Sequence, residues 1–177
     1  MVHTERLRGT DRAVPREGGR SKILCPFDTA DSNYVKVLTE RGFDVTYGHI
    51  ADGHDFFDID NFEDYDAVVS NPPFSKREAI LETLFKAKVP FALILNFNGL
   101  FDSTKRWKLF RDNRFELLIP CGRMHFYNEE CHGNSPNFQS VYVCSGMTDK
   151  QIEFVEFGGK QLSLLDTGIE GDIREYL

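Results

Sequence analysis

The segment Ser70-Asn71-Pro72-Pro73-Phe74 carries the residue types most suited to chemistry in this chain. An exocyclic amine on an aromatic ring is a poor nucleophile, because its lone pair is delocalised into the ring. Acceptors that take hydrogen bonds from such an amine favour its rehybridisation, and the side-chain oxygen of Asn71 is one such acceptor. A second is the backbone carbonyl of Pro72, since two successive prolines fix the chain and donate no N–H of their own. Phe74 then offers a π-face, and a base taken out of its stack needs such a platform. The plainer alternative is a double proline that ends a strand and opens a helix.

Those residues need elements to hold them. Lys22-Ile23-Leu24-Cys25 reads as a short apolar strand broken by Pro26. From Ser32 onward Tyr34, Val35, Val37 and Leu38 recur at helical spacing, with Asp31 or Ser32 as the cap and Gly42 as the stop. Phe43 to Tyr47 is a second strand, Gly48 to Tyr65 a loop, and Asp66 to Ser70 a third strand leading into the two prolines. A helix is expected from about Lys76 to Lys88, with Ile80, Leu81, Leu84 and Phe85 on one face. Phe91 to Leu95 reads as a buried central strand, Trp107 to Phe110 as a short helix, and Phe115 to Ile119 and Ser140 to Cys144 as two further strands. Uniformly apolar strands alternating with helices predict an α/β fold, a mostly parallel sheet covered on both faces. Such sheets bind ligands at the carboxyl ends of their strands, which is where Asn71 falls.

Composition sets limits on function. The net charge of −7 argues against a protein that coats nucleic acid by bulk electrostatics. The signs are segregated: acidic residues crowd Glu40 to Asp66, whereas Lys105, Arg106, Lys108, Arg111 and Arg114 follow one another closely and Lys76, Arg77, Lys86 and Lys88 precede them. They make either a basic, nucleic-acid-binding face or a solvated helix surface. Residues 1–20, with Arg6, Arg8, Arg12, Arg16 and Arg20 and no hydrophobic period, read as a flexible basic arm ahead of a single domain over 21–177. Neither a signal peptide nor a membrane span is read, so a cytoplasmic location is expected. Cys25, Cys121, Cys131 and Cys144 are not required as staples. The set Cys121, His125, Cys131 and His132 matches no familiar zinc spacing, and no metal is expected.

The motif resembles the Asn/Asp-Pro-Pro-Tyr/Phe signature of the amino-methyltransferases. The stretch from Ile23 to about Met147 resembles a small phage- and bacterial-type adenine-specific methyltransferase family, through Cys25-Pro26-Phe27-Asp28-Thr29, Ser32-Asn33-Tyr34, Asp55-Phe56-Phe57, Ser70 to Ser75 and Pro136-Asn137-Phe138. The resemblance implies a Rossmann-like class I methyltransferase fold, S-adenosylmethionine as cofactor, and methyl transfer to adenine N6, in DNA before RNA or a protein amide. It further implies that Asn71, Pro72, Pro73 and Phe74 hold and stack the target. The donor would be held by Cys25, Pro26, Phe27, Asp28, Asp55, Phe56 and Asn71. Phe138 would be a second wall for the base or a plain core aromatic, and Lys105 and Arg106 would be substrate contacts. Asp55 and Phe56 otherwise read as an acidic loop with its phenylalanines tucked into the core.

Three departures bear on that reading. Class I methyltransferases usually place a glycine-rich turn after the first strand, and here stands Cys25-Pro26-Phe27-Asp28-Thr29-Ala30-Asp31-Ser32. In this turn Asp28 or Asp31 holds the donor's ammonium or ribose hydroxyls, or else caps the helix. His49 stands where an acidic ribose-binding residue is usual. No Tyr-Thr-Pro-like donor segment is found in residues 1–20. Two functions from different classes therefore remain: an enzyme, with target choice supplied by loops, a partner subunit or an unpaired substrate, and a catalytically impaired methyltransferase-like module that binds nucleic acid or protein.

Overall fold

The computed structural model describes residues 20–122 and 138–156. The expected arm (1–20) lies outside them except for Arg20, as do Pro136, Asn137, His125, Cys131 and His132. Seven strands form one sheet: β1 (Lys22–Cys25), β2 (Asp44–Tyr47), β3 (Ala67–Ser70), β4 (Phe91–Asn96), β5 (Glu116–Pro120), β6 (Ser140–Ser145) and β7 (Ile152–Val155). Their order is β2-β1-β3-β4-β6-β5-β7. β6 pairs antiparallel with β4 and β5, and the other pairings are parallel. Among the described residues three α-helices flank the sheet: α1 (Asn33–Glu40), α2 (Arg77–Ala87) and α3 (Thr104–Asp112). This is a Rossmann-like α/β architecture.

Alternation along the strands divides the core between the two faces. Ile23, Cys25, Ala67, Val69, Ala92 and Ile94 pack with Val35 and Leu38 of α1. Leu24, Val68, Phe91, Leu93 and Leu95 pack with Ile80, Leu81, Leu84 and Phe85 of α2 and Phe110 of α3. Strands loaded on both faces must be apolar at every position, and β3 and β4 are buried almost throughout. Helices thus cover both faces, as the sequence predicts.

The boundaries hold two corrections. Ser32 occupies the N-cap position of α1 but makes no capping bond, because its hydroxyl donates to Asp28 instead. Asp31 does not cap either: it pairs with Lys36 at 3.4 Å. Gly42 does stop α1, at φ +89°, a left-handed conformation that favours glycine. β7 and the first turn of α3 are additions to the sequence reading, and three short 3-10 turns fill the long loop between β2 and β3.

The strand order places the ligand site. From β1 the chain moves outward to β2, then returns to the other side of β1 as β3. The switch point therefore lies between β1 and β3, whose carboxyl ends carry Pro26 to Asp28 and Asn71.

Candidate active site at the switch point

At that point lies a cleft of about 800 Å³, at the upper end of the range usual for small-molecule sites. Pro26 and Phe27 reach it from the end of β1, and His49, Ile50, His54, Asp55, Phe56 and Phe57 from the loop after β2. Asn71 to Lys76 line it from the end of β3, and Phe138 from the segment leading into β6. A second hollow of about 260 Å³ adjoins it, sharing Pro26, His54, Asp55 and Phe56.

Asn71 is exposed, and among the described residues its side-chain amide has no hydrogen-bond partner. A polar group idle in the fold is available to a ligand. Pro72 is buried behind it, and Pro73 opens a 3-10 turn over Phe74–Lys76 by accepting the Lys76 N–H at 3.0 Å. The phenyl rings of Phe74 and Phe138 meet edge to face, with centroids 5.7 Å apart and planes at 80°. A base sandwiched flat between them needs roughly 7 Å, two contact thicknesses. The rings must therefore part and rotate for both to stack on one base.

Asp55 and Phe56 serve the fold and the cleft together. Asp55 accepts the Phe57 N–H at 3.0 Å, fixing a tight turn. Phe56 is buried among Phe27, Phe57 and Phe62, at centroid distances of 4.9, 5.2 and 5.6 Å. Phe57, by contrast, is exposed on the rim rather than tucked into the core. A side chain on Gly48 would meet His54 Cβ at 3.0 Å, so the glycine lets His54 lie against the strand end. His49 accepts the Ala51 N–H on Nδ1 at 3.1 Å, which leaves the proton of the neutral ring on Nε2 as a donor. His49 lines the cleft from the position after β2 that the sequence marks, whereas nothing in the spacing of Ile50 and His54 marks them as lining residues.

Cys25 and Asp28 depart from expectation. Cys25 is fully buried in the α1-side core, where burial and the nearby Asp28 charge push its thiol well above the ordinary range. It lines neither hollow. The Asp28 carboxylate is also buried, 5% exposed, and accepts hydrogen bonds from the hydroxyls of Ser32 and Ser70. Its backbone N–H is directed to the carbonyls of Gly48, at 3.1 Å, and Cys25, at 3.3 Å. A strand-end turn that other sheets close with glycine is here held by a side chain.

No protein-family model and no curated protein sequence matches the chain. Among solved structures it is similar in fold to the M protein of the type I restriction enzyme EcoKI, with a TM-score of 0.40 and 12% identity over 80% of this chain and 37% of that one. It is also similar to a precorrin-6y C5,15-methyltransferase from Geobacter metallireducens, with a TM-score of 0.36 and 16% identity over 71% of this chain and 67% of that one. The chain thus spans little more than a third of the restriction-enzyme subunit's length.

Lys105 and Arg106 lie outside the cleft, and both are engaged within the fold. Arg106 donates to the carbonyls of Gly99 at 2.9 Å and Leu100 at 3.2 Å and to Glu78 at 3.2 Å, with its side chain 13% exposed. Lys105 pairs with Glu82 at 2.6 Å, and Arg111 with Asp112 while lying over Trp107. The supposed basic face is thus largely neutralised by carboxylates of α2 and α3. Arg106→Ala is expected to cost about 1–3 kcal/mol, because two carbonyls and Glu78 lose a charged partner. Lys105→Ala, an exposed pair, should stay within about 0.5 kcal/mol. Urea denaturation of the two variants measures the difference.

Among the described residues no helix is long and apolar enough to cross a membrane, and no group of three or more His, Cys, Asp or Glu side chains is placed to hold a metal ion.

Proposed function

We propose that this chain transfers a methyl group from S-adenosylmethionine to the N6 amine of adenine in nucleic acid, with DNA the first substrate. The observation that carries this reading is the position of Asn71-Pro72-Pro73-Phe74 at the sheet's switch point, with an uncommitted Asn71 amide in a cleft walled by aromatic residues.

The cleft suits the donor in size and lining. Pro26, Phe27 and Phe56 offer apolar walls for an adenine ring, and Asp55 and His49 offer an acceptor and a donor beside them. When bound, S-adenosylmethionine would supply a methyl group on a sulfonium, the C–S bond breaking to leave a neutral thioether as the N–C bond forms and the methylated amine releasing one proton to solvent. Asn71 Oδ1 and the Pro72 carbonyl accept the hydrogens of the target amine and draw its lone pair out of the ring. Phe74 stacks on the base and fixes the direction of attack. The rate enhancement is then mainly positioning and preorganised dipoles. With most cations of α3 paired to carboxylates, target selection is left to the loops, to an unpaired substrate or to a partner subunit.

The test is calorimetric titration with S-adenosylmethionine and its demethylated product, followed by labelled-methyl transfer to single- and double-stranded oligonucleotides that contain adenine. One-to-one donor binding at micromolar affinity with label in N6-methyladenine is the expected result. A folded protein with no donor affinity would instead leave a binding module for nucleic acid or protein.

A further inference from the structure

We infer that Asp28 is a positioning residue that ties the donor-side turn to the catalytic segment, acting through Ser70 on Asn71. This rests on the function proposed above and adds to it a residue that touches neither donor nor base.

The geometry gives this carboxylate an unusual place. It is buried at the junction of three elements: the turn after β1, the start of α1 and the end of β3. Its two oxygens are divided between them, Oδ1 to the Ser32 hydroxyl and Oδ2 to the Ser70 hydroxyl. Ser70 is itself fully buried and is the residue immediately before Asn71. The Asp28 main chain also holds the Gly48 carbonyl at the end of β2. One residue therefore links the carboxyl ends of the three strands that border the cleft. In sheets of this class a glycine-rich turn shapes this strand end, giving the tight bend and close helix–strand packing. Here the turn lacks those glycines, and a two-armed acceptor stands in for them.

Burial raises the Asp28 carboxyl above the ordinary range, opposed by the hydrogen bonds of the two serine hydroxyls and by the electrostatic influence of His49. The other titratable groups coupled to it, Cys25 and Tyr34, are neutral when protonated and supply no counter-charge. A raised folded-state value means that the folded protein binds this proton more tightly than the unfolded one. The contribution to stability is thus full below the unfolded-state value and lost as pH rises through the folded value. The two serine bonds, one toward α1 and one toward the end of β3, give the carboxylate its orienting use.

Asp28→Asn is nearly isosteric and removes the charge but supplies only one acceptor oxygen, so one serine loses its partner. At pH 7 it is expected to remain folded, to bind S-adenosylmethionine within about threefold, and to transfer methyl at least tenfold more slowly at saturating donor. Ser70→Ala should show the same split between kcat and donor affinity, and the double variant should lose no more than either alone. Wild-type turnover in Asp28→Asn would overturn the inference, as would a loss of donor affinity in step with the loss of rate. If the parent protein transfers no methyl group to any adenine substrate, the proposed function fails and the tie is judged by NMR alone. A lower order parameter for the Asn71 side-chain NH₂ in Asp28→Asn than in the parent would then support it, and an unchanged value would overturn it.

Discussion

Asn71→Ala is expected to reduce methyl transfer by about 10²–10³-fold, with donor affinity and melting temperature close to the parent values. The size follows from removing one preorganised hydrogen-bonding group aimed at a reacting centre, worth about 3–4 kcal/mol of transition-state stabilisation. The selectivity follows from the structure. Asn71 is exposed at the strand end, and among the described residues its amide bonds no protein group, so the truncation breaks nothing that holds the fold. The loss should therefore fall on kcat rather than on donor Kd, as for an interaction made mainly in the transition state. Asn71→Asp is the informative companion. It keeps an acceptor oxygen at the same distance from the backbone, and residual activity well above that of Asn71→Ala would identify acceptance of the amine hydrogens as the role. Equal inactivity of the two variants would point to a need for the amide N–H as well. Single-turnover transfer with donor affinity measured in parallel separates these outcomes.

Phe91→Ala is expected to cost about 3–5 kcal/mol of folding stability, a large share of the roughly 5–15 kcal/mol available to a domain. Phe91 opens β4, is fully buried and sits between Val68 of β3 and Ser145 of β6 in the sheet. Its ring meets that of Phe85 on α2 edge to face, with centroids 5.2 Å apart. Truncation empties a volume bounded by two strands and a helix, none of which can close it without disturbing the sheet register. Phe154→Ala is the matched control: the same chemistry is lost from a side chain 78% exposed on the edge strand, with an expected effect within about 0.5 kcal/mol. Urea midpoints should fall for Phe91→Ala at an unchanged m-value, as for a stability change without a change in unfolded-state compactness. Equal midpoints for the two variants would show that β4 is not the centre of the core.

Much of the fold was legible from local pattern. The apolar runs at Ala67–Ser70 and Phe91–Asn96, the helical face of Ile80, Leu81, Leu84 and Phe85, and the stop at Gly42 each follow from a chain's own periodicity or backbone freedom. The same is true of Asn71-Pro72-Pro73-Phe74: its residue types and its place after an apolar strand suffice to make it a candidate site. β7 was missed because its residues are only partly buried at the sheet edge, so neither a buried run nor a strong amphipathic signal marks it. Glu116 reads as a polar position in a strand yet is almost completely buried, because Arg114 close by and the N–H groups of Gly146 and Met147 from a distant part of the chain satisfy it.

The other corrections have the same origin. Whether Asp28 caps a helix, holds a ligand or braces a strand end depends on what its carboxylate meets, and it meets Ser70, which only the return of the chain as β3 brings within reach. Whether Arg106 faces nucleic acid or holds a loop depends on Glu78, which α2 delivers from another part of the sequence. Sequence by itself determined the elements and the residues equipped for chemistry, because periodicity and side-chain type are local properties. Only tertiary structure decided which of those side chains are free, since a charged or polar group is committed by its partners, and strand order supplies the partners.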